Sequence, residues 1–362
     1  MDPTMETAPT EAVAERPGVV LGGGSQRHRV TGEMVHHLGR LPLSPGAAPQ
    51  AVDLPFLAHG LTPSPHDEGL IVLFEKHGPG ACVLDLRQGV IVHTLHAGEG
   101  REFYGHGVFS RDGSLLYCTE TDVTDGNRGV LAVRDGKDFS VLGELPSYGV
   151  APHDCVLWGD GDVLVVTNGG SPIGVEEHPP NVAFVDLKTH ALLDEVRPSN
   201  PRINTGHVAV ASGGELAVIS APRDGLSPAH DLGGVSLRGK DGPLRTVTEP
   251  LDVLRDLKGE TLSVAIHEPT RTVAATTPLG HYLTLWELDT GRLRKSLRLP
   301  EPRGVAVSLD GKDFILNFGN PPRMARLDAF TLEPPRDPEA RAGFPSLCTG
   351  SHILVADLPG WA

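Results

Sequence analysis

The chain is written in short apolar runs rich in β-branched residues, each closed off by Gly, Asp, Asn or Pro. "LIVLF" (Leu70–Phe74), "LLYCT" (Leu115–Thr119), "VLVVT" (Val163–Thr167) and "LAVIS" (Leu216–Ser220) are representative. Runs of this length with turn residues at both ends predict β-strands. No stretch keeps the i, i+3, i+4 apolar spacing of a long helix, and none approaches the roughly 18 apolar residues of a membrane-spanning helix. A helical bundle and a helical membrane protein are thereby excluded.

The strands recur as a unit. Copies begin "AHGLTPSPHDEGLIVLF" at Ala58, "GHGVFSRDGSLLYCT" at Gly105, "PHDCVLWGDGDVLVVT" at Pro152 and "GHVAVASGGELAVIS" at Gly206. Weaker copies begin at Leu262 and Arg303, with a seventh start at Pro345-Ser346. The second residues of these copies are His59, His106, His153, His207, Ser263, Gly304 and Ser346, spaced by 47, 47, 54, 56, 41 and 42 residues. Each unit reads as four strands, for instance Gly105–Ser110, Leu115–Thr119, Gly129–Arg134 and Ser140–Leu145. Four-stranded units at this period predict an all-β, seven-bladed β-propeller. The strands between Gly18 and Leu43 lack a first member, and joining them to the C-terminal strand completes the last blade. The expected organisation is one propeller over residues 18–362, preceded by a flexible segment over residues 1–17. A pair of β-sandwiches is the alternative, but it needs no constant step between units.

Composition sharpens this picture in three places. The 44 Gly and 32 Pro are spread along the whole length, so turns are expected throughout. A net charge of −15 repels polyanions, which excludes nucleic acid and anionic membrane surfaces as expected partners, and it attracts cations. The four cysteines, Cys82, Cys118, Cys155 and Cys348, have no C-x-x-C spacing and imply neither a zinc ribbon nor a disulfide framework. The first 17 residues carry no basic n-region or apolar h-region. The protein is therefore expected to be cytoplasmic if this start is native.

First strands of propeller blades line a central channel, so equivalent positions in successive blades meet about one axis. His59, His106, His153 and His207 are expected there as ligands of a transition-metal ion, Zn, Cu or Fe, since imidazole suits these metals. Asp154, Glu120 and Asp122 would orient the rings or add oxygen ligands. Tyr104, Glu120, Asp122, Asp154 and Asn168 are the expected ligand-contacting residues at the channel mouth, with Glu75 a further carboxylate there. The plain alternative is that these histidines bond backbone or hydroxyl groups of the next blade, and that the polar residues bond their own turns. His36, His37, His93 and His96 are expected on exposed outer strands. No nucleophile elbow is present, and the "GGGS" at Gly22 lacks the G-K-[ST] of a phosphate loop.

The segments "REFYGHGVFSRDGSLLYCTETD" (Arg101–Asp122), "GVLAVRD" (Gly129–Asp135) and "GELPSYGVAPHDCVLWGDGDVLVVTNGG" (Gly143–Gly170) resemble an uncharacterised bacterial propeller family, a domain of unknown function related in outline to WD- and YVTN-type repeats. The resemblance implies an exported, periplasmic protein if an export signal has been removed. It also implies a setting beside imelysin-like and di-haem oxidoreductase-like proteins in iron acquisition. Together these readings predict a non-catalytic propeller that binds a small ligand, a metal ion or a partner protein at the channel mouth. A metal-dependent hydrolase or lactonase working at the same mouth is the alternative, and an interaction platform with an empty channel is a third.

Overall fold

A computed structural model describes residues 18–43, 46–175 and 177–358, so the segment 1–17 lies outside the described residues. These residues form seven four-stranded antiparallel sheets, each a meander running outward from the axis. Six blades use consecutive strands and start at Ala58–Pro63, Arg101–Phe109, Pro152–Trp158, Val208–Val210, Ser263–His267 and Val305–Val307.

The remaining blade is shared between the chain ends. Leu354–Ala356 supplies its first strand and pairs with Val19–Arg27, which in turn pairs with Met34–Pro42 and then Gln50–Leu54. The expected closure is therefore present. Its position differs in one respect: Phe344–Pro345 is the fourth strand of the preceding blade, and the inner strand begins well past Ser346. The residue equivalent to the repeat marker is His352. A three-residue inner strand interrupted by the chain termini leaves little hydrophobic pattern to read.

The core lies between sheets. Burial of apolar surface between neighbouring faces, at about 25 cal/mol per Å2, holds the ring together. Trp286, fully buried, packs with Val235, Leu237, Val273 and Ala275 from two adjacent blades. The shared blade is locked in the same way: Val355 packs with Val20 and Leu41 from the N-terminal strands, and with Ile315 and Met324 from the preceding blade.

Hydroxyls at the ends of second strands stitch inner strands across blade boundaries. Thr119 Oγ1 donates to the carbonyls of His106 (3.0 Å) and His153 (3.3 Å). Thr167 Oγ1 donates to the Gly206 carbonyl at 2.5 Å, and Asn317 Nδ2 donates to the Cys348 carbonyl at 3.2 Å. These contacts fix the backbone that carries the marker residues.

If closure by the C-terminal strand holds the ring, Val355→Asp should be costly, because it buries a carboxylate with no partner among apolar side chains. The thermal midpoint is expected to fall by about 5 °C or more in a single transition of the whole ring. An unchanged midpoint in scanning calorimetry would contradict the closure.

Candidate metal centre

Five consecutive blades, beginning with the shared one, each aim one imidazole at the axis: His352, His59, His106, His153 and His207. Their backbone is shaped for it. The pairing register slips between Ala58 and Gly60, between Phe103 and Gly107, and between Pro152 and Cys155. A bulge of this kind bends an inner strand and re-aims the side chain it carries, and here the displaced residues include His59, His106 and His153. Gly105 permits the close approach of the neighbouring blade: its φ is +121°, and a Cβ there would lie 2.5 Å from His59 Cδ2. The last two blades contribute Ser263 and Gly304, which are used internally. Ser263 Oγ accepts from the Val305 amide at 3.1 Å, and the Gly304 amide donates to Asn317 Oδ1.

Every pair among the five imidazoles except His153 with His352 has its ring centroids within 4.0–5.7 Å. His207 Nε2 is the hub, with the Nε2 atoms of His153 and His352 both at 2.8 Å and that of His59 at 3.4 Å. One imidazole nitrogen holds either a proton or a lone pair, so it cannot satisfy three nitrogens at once. Metal–nitrogen bonds of about 2.0–2.1 Å put neighbouring donors about 3.3 Å apart in a tetrahedron and about 2.9 Å apart at right angles. The three separations at the His207 hub are compatible with ligands around one ion, whereas the full spread of the group, up to 4.8 Å, exceeds the roughly 4.2 Å that two such bonds span. His59, His106, His207 and His352 each offer a nitrogen within 4.8 Å of the others, with His153 completing the ring at His207.

Groups behind the rings fix their orientation. His59 Nδ1 meets Ser351 Oγ at 2.9 Å, and His106 Nδ1 meets Asp154 Oδ1 at 3.4 Å. Asp154 is itself held by the amides of Cys155 (2.8 Å) and Val208 (3.1 Å). With Nδ1 so occupied, His106 leaves Nε2 buried and without a hydrogen-bond partner among the described residues. A hydrogen bond at one ring nitrogen sets which nitrogen is free for a metal. Burial pushes the His106 imidazole down to about 3, with nearby Lys76 adding to the effect. Burial and mutual repulsion hold His59, His153, His207 and His352 well below the ordinary value of about 6.5. All five are therefore neutral donors at neutral pH.

The other expected site residues divide. Asp154 sits behind His106, and the Tyr104 ring lies 5.3 Å from that of His153 and 4.4 Å from that of His77. Glu120 points the other way, into the blade boundary, where it receives the Gly98 amide (3.2 Å) and pairs with Arg134 (3.4 Å). Asp122 caps its own turn through Thr124 and pairs with Arg128. Asn168 is fully buried in a network with Ser147 and Asn181. Glu75 receives the Gly80 amide at 3.1 Å. His93 and His96 are exposed as expected, whereas His37 is buried with its ring against the Leu347 carbonyl at 2.9 Å. That ring faces the shared blade's C-terminal segment, which closure brings alongside.

His352 is the member of the cluster that the repeat reading passes over. Its local text, "SHILVA", repeats the small-residue, His, apolar order of "GHVAVA" at Gly206. The step from Gly304 to His352 is 48 residues, the length of a blade.

Comparison with solved structures supports the architecture. The chain is similar to Kuenenia stuttgartiensis Hydrazine Synthase, with a TM-score of 0.64 and 13% identity over 90% of this chain and 99% of that one. It is also similar to the Myceliophteria thermophila Cps50 (Swd1) beta-propeller domain, with a TM-score of 0.55 and 14% identity over 82% of this chain and 92% of that one. At such identities the likeness concerns the fold alone. No functionally curated protein is detectably similar in sequence. Residues 52–337 match the family described as Protein of unknown function (DUF1513), and the chain, a seven-bladed β-propeller, belongs to that family.

Proposed function

We propose that the protein holds one transition-metal ion on its axial histidines and acts as a non-catalytic metal-binding propeller. The observation that carries this reading is the environment of His207 Nε2, with three other Nε2 atoms at 2.8, 2.8 and 3.4 Å. Buried polar groups in folded proteins are as a rule paired. Here a single cation would satisfy every lone pair at once. Among the described residues the donor set is nitrogen only, with no thiolate or carboxylate in the group, which suits Cu, Zn, Ni or Fe rather than Mg or Ca. Four or five imidazoles leave at most one or two coordination positions open, and Glu120, Asp122 and Asn168 are occupied elsewhere. This favours holding an ion over hydrolysis by a metal-bound water. Bacterial metal handling in the periplasm, alongside iron acquisition, is the setting proposed from the family resemblance.

Chelator-stripped protein should take up about one ion per chain when titrated with Cu(II), Zn(II), Ni(II) or Fe(II), measured by elemental analysis after desalting. At a free-ion concentration a hundred times Kd, binding stabilises the fold by about 2.7 kcal/mol, so the thermal midpoint should rise. His207→Gln should weaken uptake at least a hundredfold, while His230→Gln at an exposed turn leaves it unchanged. No retained ion and no thermal shift with any of the four metals would overturn the reading.

Acid stability gives a second check, on the metal-free chain. Because the five rings are held below about 6.5 when folded, the unfolded chain binds more protons than the folded one as pH falls through that value. The stability from neutral burial is full above pH 6.5 and is lost on acidification toward the folded values. The expected loss is up to about 1.4 kcal/mol per pH unit for each ring. A calorimetric midpoint that does not decline between pH 7.5 and 5 would contradict neutral burial of the rings.

A further inference from the structure

Two cavities flank the histidine ring, and they differ in charge. The one beside His59, about 300 Å3, is lined by Ser351, Glu75 and Lys76 as well as Phe56 and Leu57. Its Lys76 side chain brings positive charge into that lining, which would repel an arriving metal cation. The other, about 190 Å3, lies on the His153 side, and its lining includes Glu102, Asp224, His77, Tyr104 and Thr121 but no Lys or Arg.

This second cavity is built for positive charge. Glu102 and Thr121 are direct cross-strand partners and so share one face of the sheet. Thr121 is 4% exposed, and its Oγ1 is buried without a hydrogen-bond partner among the described residues. The Glu102 and Asp224 carboxylates make no hydrogen bond or ion pair with the described residues, and on the His77 ring they oppose the larger influence of Lys76. The Arg223 guanidinium is engaged by the carbonyls of Ser171 and Pro172, which also line this cavity. Tyr104 forms the wall between this cavity and the cluster, its ring 4.4 Å from His77 on one side and 5.3 Å from His153 on the other.

We infer that the Glu102–Asp224 cavity is the loading vestibule of the metal centre, a site that captures a hydrated divalent cation and passes it by Tyr104 to the histidine ring. The inference rests on the proposed metal site. Its oxygen donors are hard, which suits an ion that still carries water. The nitrogen cluster then completes the exchange of water for imidazole. Two unpaired carboxylates in a narrow cleft raise the local cation concentration and so the association rate, with a marked dependence on ionic strength.

Stopped-flow mixing of Co(II) with the chelator-stripped full chain, followed by the visible absorption of cobalt–imidazole coordination, tests this. The double variant Glu102→Gln/Asp224→Asn should load about tenfold more slowly at low salt. It should still reach one ion per chain, with an equilibrium affinity within about threefold of the parent. Glu75→Gln, in the other cavity, should load at the parental rate. The single change Asp224→Asn, in an exposed turn, should slow loading about threefold and serves if the double variant does not fold. Parental loading by the folded carboxylate variants overturns the vestibule while leaving the histidine site intact. So does a loss of affinity with no change in rate. A parent chain that binds no cobalt under any condition overturns both.

Discussion

Everything distinctive about this propeller depends on holding five uncharged imidazoles closer together than hydrogen bonding alone can satisfy. Such crowding is unfavourable in isolation. It persists because each ring stands on an inner strand or within two residues of its start, and the inner strands are held to their neighbours by buried apolar faces and by hydroxyl stitches such as those of Thr119 and Thr167. The cost of the unsatisfied nitrogens falls on the ring as a whole, and a bound cation would remove it. The constraint reaches as far as the chain termini, since His352 arrives at the axis only when Leu354–Ala356 pairs with the N-terminal strand.

The arrangement is also asymmetric. Five blades give imidazoles, while the blades of Ser263 and Gly304 give a hydroxyl and a bare backbone amide, both bonded within the fold. Donors therefore approach from one side of the channel, and the nitrogen spacing shrinks to ligand distances even though a seven-fold ring is wide. Bulges in three of the inner strands lengthen the reach of His59, His106 and His153. Asp154 and Ser351 then set which nitrogen of their partner rings faces the axis.

Much of this was legible in the sequence, because the repeat marker is itself the residue that reaches the axis. A small residue or proline followed by His announces both the start of a blade and the position on the axis. The reading stopped short at His352 because the shared blade splits its strands between the two ends and leaves only three residues for the inner one. Glu120 and Asn168 illustrate a second limit. Each sits one residue beyond an inter-blade threonine, and strand alternation turns its side chain away from the threonine's face. Sequence shows that such a residue is near the channel end of a strand, but not which face it takes. Bulges are equally silent, since one slipped residue leaves no mark in composition.

The most direct test of the central claim is X-ray absorption spectroscopy of the purified protein loaded with one equivalent of Cu(II) or Zn(II). Expected is a shell of four or five nitrogen scatterers at about 2.0–2.1 Å with the outer-shell pattern of imidazole rings, lost in His207→Gln. A first shell of oxygen or sulfur without imidazole scattering would contradict it, because the ion would then lie somewhere other than the axis.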